Sequence, residues 1–217
     1  MPTSVPTALG KSCWSCQGLV TGEPFCPTCQ VIQPPDPALD YFQLFGLPMA
    51  FPLEMARLEQ LYQSLQRHYH PDRFAARGAT ERRFSLEHVT RLNQAYQTLR
   101  DPLARSNYLL ARIAGPAFLT ASQEAMDAEF LLEVMEDREA LEAVNLSAGD
   151  AGPRLERLRG QAMARIEQEE AALHRLFAVV IATPAPASLQ QIAQINHRLR
   201  YHHRFLEAVD QAEERMV

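Results

Sequence analysis

Tyr69-His70-Pro71-Asp72-Arg73 is the stretch whose reading decides the fold of this chain. Upstream, Leu53, Ala56, Leu61, Leu65 and Tyr69 recur close to helical spacing. Pro71 stops that helix, since it lacks a backbone donor and biases the preceding residue away from helical angles. Residues 70–72 are therefore expected in an exposed loop between helices. Arg73, Arg77, Arg82 and Arg83 follow, and then a second helix that closes with Leu92-Asn93-Gln94-Ala95-Tyr96-Gln97-Thr98-Leu99-Arg100-Asp101-Pro102.

With these residues in place, positions 40 to 108 resemble a J-domain, the antiparallel helical hairpin by which J-proteins engage a DnaK-type ATPase chaperone. Asp40-Tyr41-Phe42-Gln43-Leu44-Phe45-Gly46-Leu47-Pro48 and Arg105-Ser106-Asn107-Tyr108-Leu109-Leu110 are similar to the HscB subfamily, which serves iron–sulfur cluster assembly. The resemblance implies that His70 and Asp72 touch a DnaK/HscA-type partner and favour its hydrolysis-competent state, with Pro71, Arg67, Arg73 and Arg77 completing the chaperone-binding set. Catalysis then belongs to the partner, and the chain is expected not to be an enzyme. The residues agree, for no Cys or Ser is placed to complete a triad with His70 and Asp72. Arg67, His68, Arg73, Arg77, Arg82 and Arg83 form a basic cluster suited to steering an acidic surface. Tyr41, Phe45, Tyr62, Phe84, Tyr96 and Tyr108 read as packing aromatics of the hairpin.

The 217 residues are 47% hydrophobic, enough for one large or two small globular domains. The net charge of −5 is unevenly spread: residues 36–115 carry ten basic and eight acidic side chains, residues 116–217 ten and seventeen. The two regions therefore face different electrostatic partners. No run of eighteen apolar residues is present, so no membrane span is expected. Met1 to Gly10 lack the charge and apolar length of a secretory signal, and the absence of Arg before position 57 argues against a mitochondrial presequence. A bacterial cytoplasmic protein is the expectation, with a processed mitochondrial matrix form as the alternative.

Three modules follow from composition, giving a mainly α fold: a small tetracysteine module over 1–35, the hairpin over 36–115 and a helical bundle over 116–217. All four cysteines lie between 13 and 29, and Gln33-Pro34-Pro35-Asp36-Pro37 is a stiff spacer that predicts an independent first module. Gly115-Pro116 breaks the helical pattern. Three further helices are predicted over about 123–144, 153–181 and 188–215, with short breaks that make them antiparallel neighbours in a bundle.

Cys13-Trp14-Ser15-Cys16 and Cys26-Pro27-Thr28-Cys29 each present two thiolates from a tight turn, the spacing of a tetrahedral zinc site. Four thiolates leave no open position, so Cys13, Cys16, Cys26 and Cys29 predict a structural metal rather than a catalytic one; rubredoxin-like iron is the alternative ion. A segment this short has little core of its own, and possible hairpins around the cysteines would be stapled by the metal. Lys11 and Glu23 are its sole charges, too few for a nucleic-acid surface. The tetracysteine segment resembles an N-terminal extension of some HscB-type proteins.

On the first helix of the third module, Met126, Phe130, Val134, Leu141 and Val144 fall on one stripe, which reads as the core face. Leu131, Leu132 and Met135 fall about 130° from its centre, beside Glu136 and Glu139. Tyr201 and Phe205 on the last helix likewise fall off the main stripe of Leu189, Ile192, Leu199, Leu206 and Val209. Each helix thus offers a spare apolar face with an acidic rim, the composition of a partner surface. In the HscB family the matching segment binds an IscU-type scaffold. The resemblance carries scaffold contacts to Leu131, Leu132, Met135, Glu136, Glu139 and Tyr201, with Ala143 where the family has a further acid and Tyr201 where it has Phe.

The function implied is delivery of an iron–sulfur scaffold to a specialised chaperone and stimulation of its ATPase. Two rivals stand beside it. A general J-protein for unfolded clients would suppress aggregation of denatured proteins, and a cluster carrier using the cysteines would be coloured.

Overall fold

The computed structural model describes residues 11–121 and 128–216, with side chains omitted at 119–121. Met126 and the expected helix start near 123 lie outside the described residues. The chain is mainly helical and forms two compact units, residues 1–48 with 54–100, and residues 49–53 with 101–217.

In the first unit, strands β1 (Lys11–Ser12) and β2 (Leu19–Val20) pair antiparallel, Lys11 opposite Val20 and Ser12 opposite Leu19. A second small pairing joins Phe25 to Ile32. Helix α1 (Tyr41–Leu44) opens on a capping box, in which the Asp40 carboxylate accepts from the Gln43 amide and the Gln43 side chain from that of Asp40. Helix α2 (Met55–Tyr69) then runs antiparallel to α3 (Ala79–Arg100), joined through a single 3-10 turn at Pro71–Phe74. Phe42, Leu58, Leu92 and Leu99 are fully buried in this unit. Between the helices Tyr62 stacks on Tyr96 with centroids 4.1 Å apart, and the Tyr62 hydroxyl donates to Asn93 at 3.0 Å.

The tetracysteine segment is no separate body. Trp14 meets Phe84 edge-on at 6.0 Å, Phe25 stacks on Tyr69 at 6.3 Å, and Arg91 of α3 donates to the carbonyls of Asp36 and Leu39. Ile32 and Gln33, ahead of the prolines, are buried. The independence expected from the spacer is corrected: a stiff extended run can lie along α3 as readily as it can hold two bodies apart, and aromatic side chains on both sides decide which.

In the second unit, α4 (Pro102–Ala114) begins at the Asp101 cap, whose carboxylate accepts from the Ala104 amide, and α5 (Pro116–Ala121) follows. Helix α4 packs on α8 (Pro186–Glu214) through a buried polar chain in which Ser106 donates to Asn196 at 2.6 Å and Asn196 to Asn107 at 3.0 Å. Helices α6 (Ala128–Glu142) and α7 (Ala151–Val180) complete the bundle, α7 antiparallel to α8. Its core holds Val144, Leu155, Leu158, Ala162, Phe205 and Val209. At the far end Phe51 stacks on Phe177 at 5.1 Å.

Phe205 belongs to that core, which corrects its placement on a spare face. Helix α8 is contacted by α4, α6 and α7, so more than one stripe of it is buried.

Candidate functional site

Two matching turns carry the cysteines. The Cys13 and Cys26 carbonyls accept from the amides of Gln17 and Gln30, both of which adopt positive φ, and their amides donate to Gly18 and Val31. This brings all four sulfurs within 4.8 Å of one another, with Cys13–Cys29 and Cys16–Cys26 each at 3.7 Å and every thiol free. A tetrahedron with Zn–S bonds of about 2.3 Å has sulfurs about 3.8 Å apart. The four cysteines therefore fit a metal ion. Burial pushes Cys13 up, but the amides of Cys16 and Ser15 and the neighbouring thiols outweigh it and bring it down to about 6. For Cys29 the Val31 amide pulls down while burial and the other three sulfurs push it up to about 12. Four thiolates this close need a cation among them to ionise together.

His70 caps the 3-10 turn between α2 and α3 and Asp72 lies within it, both exposed, as are Pro71, Arg67, Arg73 and Arg77. The Asp72 amide donates to His70 Nδ1 at 3.3 Å. Arg73 reaches back to the Arg67 carbonyl at 3.2 Å, gathering the basic side chains at one end of the hairpin. Beneath them Tyr69 is buried, its carbonyl accepting from Ser85 at 2.6 Å and its ring stacking on His88 at 4.4 Å. Burial holds His88 below the usual histidine range, and Nε2 donates to the Gln33 carbonyl at 2.9 Å. These supporting residues carry no motif and were not legible in the sequence.

On α6, Phe130 and Asp137 are buried while Leu131, Leu132 and Met135 are 43%, 62% and 57% exposed, with Glu136 and Glu139 exposed beside them. Three large apolar side chains on one exposed helix face form a solvent-facing apolar patch. Tyr201 of α8 differs from them. It is half-buried, meets Phe130 edge-on at 5.5 Å, and its hydroxyl donates to the Val134 carbonyl at 3.2 Å. Burial and the Asp137 carboxylate push its phenol up to about 12.

Under α6 lies a polar cluster that spacing did not reveal. Arg165 of α7 places Nε 2.8 Å from Glu133 and one terminal nitrogen 2.8 Å from both oxygens of Asp137, which is 5% exposed. Glu133, Asp137 and His202 converge closely, but the guanidinium already supplies the cation there. Burial, then the Arg165 charge, brings His202 down to about 4.

A family model described as the HSCB C-terminal oligomerisation domain matches residues 126–210. The chain is 40% identical over 142 residues to the iron-sulfur cluster co-chaperone protein HscB of Mus musculus, covering 62% of this chain and 60% of that relative's length. To the co-chaperone protein HscB homolog of Burkholderia multivorans it is 42% identical over 132 residues, covering 59% and 74%. The crystal structure of human co-chaperone protein HscB matches with a TM-score of 0.79 at 30% identity, covering 93% of this chain and 98% of the other. Fold and sequence agree: the chain belongs to the HscB family of co-chaperone proteins.

Proposed function

We propose that this chain delivers an IscU-type iron–sulfur scaffold to a DnaK/HscA-type chaperone and stimulates that chaperone's ATPase. Residues 36–115 engage the chaperone through His70, Pro71, Asp72, Arg67, Arg73 and Arg77. Residues 116–217 hold the scaffold at Leu131, Leu132, Met135, Glu136 and Glu139, with Tyr201 at the edge of that surface. Residues 1–35 hold a structural zinc, and the chain performs no catalysis itself. Reduced thiols suit a bacterial cytoplasm or a mitochondrial matrix.

The observation that supports this most directly is the exposed Leu131, Leu132 and Met135 on a helix whose other face is buried. Such side chains cost solubility unless a partner covers them. The test mixes the purified chain with an IscU-type scaffold and an HscA-type ATPase and follows phosphate release. Stimulation by the chain, increased further by scaffold, is expected. Stable complex formation with neither protein, and an unchanged hydrolysis rate, would remove the proposal.

A further inference from the structure

Two routes of contact lead from the tetracysteine cluster to Tyr69, the residue immediately before His70. In one, the Gln33 side-chain amide donates to Cys13 Sγ at 3.3 Å, the Gln33 carbonyl accepts from His88 at 2.9 Å, and the His88 ring stacks on Tyr69 at 4.4 Å. In the other, Phe25, the chain neighbour of Cys26, stacks on Tyr69 directly at 6.3 Å. Trp14, between Cys13 and Cys16, adds a clamp on the opposing helix, with its indole N–H donating to the Ile32 carbonyl at 2.8 Å and its ring against Phe84. Phe84 adjoins Ser85, whose hydroxyl fastens the Tyr69 carbonyl at 2.6 Å. Tyr69 is thus held at its ring by Phe25 from the cysteine turns and by His88 of α3, and at its backbone by Ser85 of α3.

We propose that metal binding by the four cysteines positions the His70-Pro71-Asp72 turn, with Phe25, Gln33 and His88 as positioning residues acting through Tyr69. The inference rests on the co-chaperone reading for its functional consequence, although the coupling itself does not need it. Ordering the cysteine turns around one ion fixes Phe25 and Gln33, and these remove freedom from the α2 terminus that carries the turn. Loss of the ion loosens the Phe25 and Gln33 side of this support and leaves the α3 contacts of Tyr69, from His88 and Ser85, in place.

The test compares three full-length proteins, each checked for one bound zinc and unchanged helicity: the natural chain, Phe25→Ala and Phe25→Tyr. The natural chain is measured again after a chelator has removed its zinc. Hydrogen exchange at the amides of Arg73 and Ala75, which bond within the turn, is the first readout. Exchange about tenfold faster is expected in the chelated protein and in zinc-loaded Phe25→Ala, with α7 and α8 unchanged and Phe25→Tyr close to the natural chain. The second readout is ATPase stimulation of an HscA-type chaperone. The co-chaperone concentration giving half-maximal stimulation should rise about tenfold in Phe25→Ala while the maximum is retained. Turn exchange within about twofold of the natural, zinc-loaded protein in both perturbed forms overturns the proposal. Absence of ATPase stimulation by the natural chain, with the exchange difference present, overturns the co-chaperone reading and leaves the coupling standing.

Discussion

His70 and Asp72 bond to their own turn rather than to a core, with side chains 50% and 90% exposed. Exposed side chains of this kind contribute within about 0.5 kcal/mol to stability. His70→Gln and Asp72→Asn should therefore melt as the natural protein does while abolishing ATPase stimulation, checked by calorimetry beside phosphate release. Tyr201 is a different case. Helical spacing alone predicts that it can be truncated without loss, yet its ring packs on the bundle core and its hydroxyl bonds to α6. We expect Tyr201→Ala to cost about 2–4 kcal/mol in denaturant unfolding and Tyr201→Phe about 1 kcal/mol, because the second keeps the packing and loses one hydrogen bond. A flat response to both would place the ring outside the core.

Helix α6 shows the two faces that spacing assigned to it, with Phe130 inward and Leu131, Leu132 and Met135 outward. Combined truncation of the outward three to Ala should leave melting nearly unchanged and weaken scaffold binding by about 1–4 kcal/mol per central anchor. Phe130→Ala should instead destabilise the bundle by about 3–5 kcal/mol, and equal melting losses in the two variants would remove the distinction. The inward face also carries the polar cluster that joins α6 to α7 and α8. His202 has a folded pKa of about 4 against an ordinary 6.5, lowered by burial and by the nearby charges of Arg165, Arg198 and His203 against the opposing pull of Asp137. The unfolded chain therefore binds a proton that the folded one rejects. Its contribution is complete above pH 6.5 and lost as pH falls towards about 4. Denaturant midpoints measured across that window should decline, and His202→Gln should flatten the decline.

At the scale of the whole molecule, the first unit is built from the cysteine turns and the α2–α3 hairpin together. Metal removal, or Cys26→Ser, is accordingly expected to lower the melting of that unit by about 5 °C or more and to leave the 101–217 unit unaffected; two-transition calorimetry would show it. The cysteine spacing, the end of α2 at Tyr69 and the outward patch of α6 were legible in the sequence because each depends on neighbours within a turn or two of helix. The packing of Trp14 and Phe25 on the hairpin, the burial of Phe205, the joining of α4 to α8 and the pairing of Arg165 with Asp137 were not. Each of these depends on groups far apart in the chain. Periodicity says that a face is apolar; it does not say how many neighbours crowd the helix or which distant ring meets it. The sequence by itself thus determined the long helices, the grouping of the four cysteines and the exposure of the His70-Pro71-Asp72 turn and the α6 patch. Tertiary structure alone decided which rings pack on Tyr69 beside the His70-Pro71-Asp72 turn, because stacking and burial arise only when remote segments compete for the same space.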